Sequence, residues 1–201
     1  MKRIIFTSIL VCIAFLILIS CGKGSAYERG IITETGFESK YLNLKFDLPQ
    51  GFVMASDEEM LEIMKIGNEA LETSKLEVNF ANLTTVYEMM ASAPIGFPNV
   101  SLMVEKLIIS GITTDKYSAA LRKTLAGVSA VNYVIGDDIT TVEIAGQSYK
   151  QLSASLPDFG IIQNYIFRKS GNRMISFITT YTPDTNQEMK MLMDGFSKLT
   201  N

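Results

Sequence analysis

The chain has 201 residues, is 47% hydrophobic and 19% charged, and carries a formal net charge of −3. That composition is too apolar and too weakly charged for a disordered chain, and the length suits one folded domain behind a leader, since domains cluster at about 100–150 residues. Without Lys2 and Arg3 there remain 16 basic against 21 acidic side chains, so no basic surplus marks a nucleic-acid partner.

The first segment reads as a secretory signal. Lys2 and Arg3 form a charged start, and the stretch from Ile4 to Ile19 is uncharged and mostly apolar. It is short for a spanning helix, which needs about 20 residues. Leu18-Ile19-Ser20-Cys21 then resembles the lipobox of bacterial lipoproteins, with an aliphatic residue at −3, a small one at −1 and cysteine at +1. That resemblance implies cleavage before Cys21 and a diacylglyceryl group on its sulfur, placing the protein on the extracytoplasmic face of the cell membrane. An uncleaved anchor helix is the competing reading. Of the two cysteines, Cys12 would leave with the leader, so the remainder holds no disulfide. Two acyl chains exceed the marginal hold of one. Gly22, Gly24, Ser25, Gly30 and Gly36 make residues 21–36 read as a flexible tether, which leaves 37–201 as the globular domain.

Leu42, Leu44, Phe46 and Leu48 alternate with polar residues, the pattern of a half-buried strand over 40–48, and Pro49-Gln50-Gly51 turns the chain. Ser56-Asp57-Glu58-Glu59 is a capping box opening a helix whose apolar face is Met60, Ile63, Met64 and Leu71. Strands are expected over 84–91 and 100–107, joined by a loop through Pro94 and Pro98. Thr113 or Thr114 caps a second helix with the face Tyr117, Ala120, Leu121 and Leu125, and Gly127 stops it. A meander follows, with strands at about 131–135, 138–145, 147–155, 161–169 and 173–181 and hairpin turns at Gly146-Gln147 and Ser170-Gly171-Asn172. Thr185 and Glu188 predict a capping box for a last helix over about 186–199, with the stripe Met189, Leu192, Met193 and Phe196. The elements together predict an α+β fold: a central antiparallel sheet of about six or seven strands covered by three helices.

Tyr41-x-Asn43-x-x-Phe46-x-x-Pro49-x-Gly51-Phe52 resembles the opening of PsbP-like domains and related lipoproteins, and Gln163-x-Tyr165, the Gly171 hairpin and the closing Phe196 segment fit the same pattern. Phe52 stands where that family usually has tryptophan. The resemblance spans about residues 37–199 and implies an α/β/α sandwich. It implies no reaction, because members of that fold are mostly binding or assembly factors.

The side-chain inventory argues against an enzyme. There is no histidine, which removes the commonest general base and metal ligand and every Ser-His-Asp or Cys-His arrangement. The remaining cysteine is at the tether. No phosphate loop, nucleophile elbow or closed calcium loop is present, and no cofactor or metal is expected. Asp57, Glu58, Glu59 and Glu62 suit a first helical turn better than a calcium site, and Gly136-Asp137-Asp138 suits a turn. The methionines fit packing better than Cu(I) binding, although Met191 falls on the outer side of its helix. Tyr87, Tyr165, Phe167 and Tyr181 lie on strands and either pack the core or line a groove on an incompletely covered sheet face. The expectation is a membrane-tethered, non-enzymatic module binding an envelope protein or a small molecule. The alternative is a structural accessory subunit of a membrane complex; a hydrolase without histidine ranks below both. A two-lobed solute-binding protein needs more chain than this.

Overall fold

The computed structural model describes residues 27–33, 35–62, 85–107, 111–128 and 131–200. Cys21, the leader and the helix-face residues Ile63, Met64 and Leu71 lie outside them. Two antiparallel sheets dominate. The smaller has four strands, β1 (Ile31–Thr33), β2 (Gly36–Ser39), β3 (Leu44–Asp47) and β11 (Phe196–Lys198), in the order β1-β2-β3-β11. The larger has seven: β4 (Val53–Met54), β5 (Thr85–Ser92), β6 (Asn99–Lys106), β7 (Val134–Ile144), β8 (Gln147–Leu156), β9 (Ile161–Ser170) and β10 (Arg173–Tyr181), ordered β4-β5-β6-β10-β9-β8-β7. Two helices, α1 (Thr114–Gly127) and α2 (Asn186–Asp194), complete the described elements, with a further helical turn at 57–62.

The seven-stranded sheet has an apolar set on each face, so each face needs a cover. On the first face Met89, Val100, Leu102, Val104, Ile166 and Phe177 share a core with Phe37, Leu44, Phe46 and Phe196 of the small sheet and Met189 and Leu192 of α2. On the second face Leu152, Ala154, Phe167 and Met174 pack against Tyr117, Leu121 and Leu125 of α1. Among the described residues a helix covers the second face, while the first is shared between the small sheet and α2. Strands of three or four residues, such as β1, β2 and β11, are too short to display a two-residue period, which is why they are not apparent in the sequence.

Three local differences have clear causes. The helical stripe ending at Phe196 breaks at Gly195. A Cβ on that residue would lie 2.6 Å from the Asp47 carbonyl oxygen and 2.8 Å from the Phe46 ring. The helix stops there, the Asp47 amide bonds to the Gly195 carbonyl at 3.0 Å, and Phe196 pairs with Phe46 as a strand residue. The side chain predicted to cap α2 is also different: Thr182 and Thr185 form the reciprocal box one turn earlier, and Thr185 makes no side-chain cap to α2. Finally, 131–135 and 138–145 are not two strands. They form the single β7, whose register slips between Ile135 and Ile139, so Gly136-Asp137-Asp138 is a bulge rather than a turn. Arg122 of α1 donates to the Gly136 and Asp137 carbonyls at 2.6 and 2.8 Å.

The β7–β8 hairpin turns through Ala145 and Gly146, at φ 52° and 72°, one residue earlier than expected. Both central residues are left-handed, as a two-residue hairpin matching strand twist requires. The Ser56–Glu59 capping box is present in both directions, at 3.2 and 2.7 Å. Thr113 caps α1 by accepting from the Lys116 amide at 3.2 Å. Ala120, expected on the buried face of α1, is exposed, and Thr124 is buried in its place.

The tether expected over 21–36 is shorter than its glycines suggest. β1 pairs with β2 from Ile31 onward, and Tyr27 and Gly30 are already docked. A Cβ on Gly30 would lie 2.3 Å from the Phe37 ring, and one on Gly36 1.9 Å from the Phe46 carbonyl oxygen. These are glycines of close approach, not of flexibility.

Candidate functional site

Two polar assemblies stand out from the apolar layers. The first is a groove of about 350 Å³ where α2 leaves part of the first sheet face uncovered. Its floor comes from alternate residues of β8, β9 and β10, because strand geometry sends every second side chain to one face. On β8 the residues facing α1 are Leu152, Ala154 and Leu156, all buried, whereas those facing the groove side are Gln151, Ser153 and Ser155. A hydrogen-bonded ladder runs across three strands: Gln151 Nε2 donates to Ser153 Oγ (3.3 Å), Ser153 Oγ to Asn164 Oδ1 (2.8 Å), and Asn164 Nδ2 to the Tyr181 hydroxyl (3.3 Å). The Tyr181 proton is spent on no acceptor among the described residues. Thr179, 1% exposed, lies among them with an Oγ1 that has no partner there.

Ile166, Met189 and Met193 supply the apolar walls, and Asn186, Gln187 and Glu143 the polar rim. Lys190 and Asp194, one turn apart on α2, form an ion pair at 2.8 Å on that rim. The Asp194 carboxylate holds the Lys190 ammonium above its ordinary pKa. This combination can grip a small molecule or a peptide segment with donors and acceptors below and thioether and aliphatic surface at the sides.

The second assembly lies at the start of the described chain. Glu88 is the extra residue of a bulge in β5, between the pairs Tyr87–Met103 and Met89–Leu102, and it is 0% exposed. The Tyr27 hydroxyl donates to its Oε1, and the Gly30 amide to its Oε2 at 2.7 Å. Arg29 Nε donates to the Tyr87 carbonyl at 3.0 Å, and its Nη2 pairs with Asp57 at 2.6 Å. The Arg173 guanidinium sits 4.0 Å over the Tyr27 ring, and Tyr41 meets that ring edge-on at 5.1 Å. Burial, and then the Glu88 carboxylate, push the Tyr27 phenol far above its ordinary pKa. The arrangement is a clamp that fixes the arm 27–33 to the sheet.

A buried carboxyl also lies under α1. Glu105 accepts from the Tyr117 hydroxyl at 3.0 Å. Burial raises the Glu105 pKa above its ordinary value, and the Tyr117 hydrogen bond opposes the rise.

Of the candidate binding residues Tyr87, Tyr165, Phe167, Tyr181 and Met191, the groove contains Tyr181 alone. Tyr165 and Phe167 point to the opposite face, under α1: Phe167 is 1% exposed and stacks 5.2 Å from Tyr117, while the Tyr165 hydroxyl donates to Gln163 at 2.8 Å. Tyr87 is half-buried on that same face, opposite Met103. Met191 is 50% exposed on the outer side of α2 and does not line the groove. Asp57 is engaged by Arg29 and Glu59 by the Ser56 amide. Among the described residues no group of three or more Asp, Glu, Cys or His is placed to hold a metal ion, and no helix is long and apolar enough to cross a membrane. Gln151, Asn164 and Thr179 are not evident as site residues from aromatic or charged motifs. Their signal is subtler: polar residues at two-residue spacing on the inner strands of a sheet, where both faces are ordinarily apolar.

No protein-family model matches the chain, and no curated protein matches it. Among solved structures it is similar to the solution structure of cyanobacterial PsbP (CyanoP) from Synechocystis sp. PCC 6803, with 12% identity and a TM-score of 0.48 over 88% of this chain and 98% of that one.

Proposed function

We propose that this protein is an extracytoplasmic lipoprotein, tethered through Cys21, and that its folded domain is a non-enzymatic binding module whose groove beside α2 takes a small molecule or a short segment of an envelope protein. The observation that supports binding is the groove itself. Its volume falls within the range of ligand sites, about 300–1,000 Å³, and such sites pair apolar walls with a few converging polar groups. A buried hydroxyl without a partner costs about 1–3 kcal/mol, and Thr179 Oγ1 at the groove floor has no partner among the described residues. The observation that supports the tether is the Leu18-Ile19-Ser20-Cys21 sequence behind its short apolar stretch.

Two experiments test the two halves separately. Metabolic labelling with radioactive palmitate is expected to mark the wild-type chain and not Cys21→Ala; equal label in both removes the lipoprotein reading. Saturation-transfer NMR with a fragment library on the purified protein is expected to give binders that Asn164→Ala weakens. A library with no binder sensitive to Asn164, Gln151 or Tyr181 removes the groove reading. It would leave the accessory-subunit alternative, which needs a broad interface and no pocket.

A further inference from the structure

Three basic side chains share the first face at one end of the seven-stranded sheet. Lys106 closes β6, Arg173 opens β10 directly opposite it, and Arg168 lies on β9 opposite Ile175, two residues along from Arg173. Side chains directly opposed in an antiparallel pair have their Cβ atoms about 4.5–5.5 Å apart, and diagonal neighbours are about 7–8 Å apart, so Lys106 and Arg173, and Arg173 and Arg168, are neighbours and the three make one basic strip across β6, β10 and β9.

Like charges directly opposite one another destabilise a sheet, and no carboxylate among the described residues neutralises them here. None of the three forms a salt bridge among the described residues. The carboxylate packed against the same Tyr27 ring, Glu88, has one oxygen taken by the Tyr27 hydroxyl and the other by the Gly30 amide. The guanidinium groups lie on aromatic rings instead: Arg173 is 4.0 Å from the centroid of Tyr27 and Arg168 5.3 Å from that of Tyr149. Stacking holds a guanidinium in place while leaving N–H groups at its edge free for an acceptor. Arg168 Nε is buried with no acceptor among the described residues. The whole chain is negative at −3, so this cluster is a local concentration of positive charge and not part of a general surplus.

We propose that Lys106, Arg168 and Arg173 form a phosphate-binding face that seats the domain on the headgroups of an anionic bilayer. The proposal rests on the tethered reading above and adds an orientation to it. The described chain begins at Tyr27, against Arg173, and the stretch 21–26 before it spans at most about 20 Å when extended. A lipid on Cys21 therefore brings this end of the sheet, rather than the β5–β6 loop at the other, to headgroup height. The guanidinium pair takes phosphate oxygens through paired N–H donors, and Lys106 adds a point charge at the rim.

The test uses the full chain purified from membranes in a neutral detergent and follows amide resonances during titration. The probes are dihexanoylphosphatidylglycerol, dihexanoylphosphatidylcholine and inorganic phosphate. Phosphatidylglycerol is expected to shift the resonances of residues 106, 168 and 173. Lys106→Gln, at an exposed position where folding is unaffected, is expected to weaken that binding about fivefold, the equivalent of about 1 kcal/mol for one basic residue at an anionic surface. Lys106→Gln with Arg168→Gln should weaken it further. An equal response to phosphatidylcholine, or unchanged affinity in both variants, overturns the proposal. An equal response to inorganic phosphate overturns the bilayer as its source. Failure of acylation at Cys21 is read separately from the mass of the purified chain, and the titration remains decisive because a short-chain lipid needs no anchor.

Discussion

Phe196 sits where the helix α2 gives way to the strand β11, and truncating it tests that junction. It is 7% exposed, and its ring centroid lies 4.5 Å from that of Phe46 in the small sheet and 5.0 Å from that of Phe177 in the large one. Phe→Ala in a packed core costs about 3–5 kcal/mol, the spread depending on how far the surroundings collapse. Collapse is restricted here, because the neighbouring rings belong to strands of two different sheets, so the upper half of that range, about 4–5 kcal/mol, is expected. With a urea slope of about 2 kcal/mol/M, the midpoint should fall by roughly 2–2.5 M with the slope unchanged. Met191→Ala is the matched control: at 50% exposure on the outer side of α2, it should stay within about 0.5 kcal/mol of wild type. Urea titrations followed by circular dichroism measure both. A larger loss from Met191→Ala than from Phe196→Ala would refute the placement of α2 and β11 on the core.

Three further outcomes follow from named groups. Glu105 is raised above its ordinary value of 4.5 in the folded state, so above that pH the native chain holds more protons than the unfolded one and stability falls as pH rises through the window above 4.5; Glu105→Gln should flatten that slope and raise the urea midpoint at pH 7, whereas an unchanged slope places the titration elsewhere. Gly36→Ala would push a Cβ to 1.9 Å from the Phe46 carbonyl oxygen at φ 153°, costing roughly 3 kcal/mol or more from overpacking and backbone strain, while Gly51→Ala, at φ 89° with open space around it, should cost about 1 kcal/mol; thermal melts that rank them the other way refute the close-approach argument. Thr179→Val should be neutral or stabilising by about 1 kcal/mol, since the lost hydroxyl has no partner among the described residues, and a loss of more than that in a denaturant series would show that the hydroxyl is satisfied in solution.

Most of the large sheet was legible because β5, β6, β8, β9 and β10 are eight to ten residues long, enough for alternation and turn signals to accumulate. The small sheet was not, and the reason is visible at Phe196. Spacing from Met189 places it on the helical stripe, and only the contact between Gly195 and the Asp47 carbonyl, between residues far apart in sequence, tells the chain to leave the helix. Gly30 and Gly36 were misleading in the same way, because a glycine demanded by a neighbouring backbone reads like one that loosens a linker. The groove was half legible: Tyr181 is an obvious candidate, but its partners Asn164 and Gln151 matter only once β8, β9 and β10 are in register. Glu88 could not be found by pattern at all, since a lone glutamate in an apolar strand reads as the solvent face until a bulge turns it inward.

The outer rim of β7 has a bearing on behaviour at high concentration. Among the described residues this eleven-residue strand has a partner on one side only, and an open edge of that length is a template on which a second molecule can add a strand. The slip at Gly136–Asp138 breaks the row into two shorter runs, two adjacent aspartates put like charge where another chain would dock, and Arg122 occupies the Gly136 and Asp137 carbonyls that would otherwise accept from it. What reads in the sequence as an ordinary turn is a guard against fibril-like association, and it protects colloidal behaviour without contributing to the packing of either core.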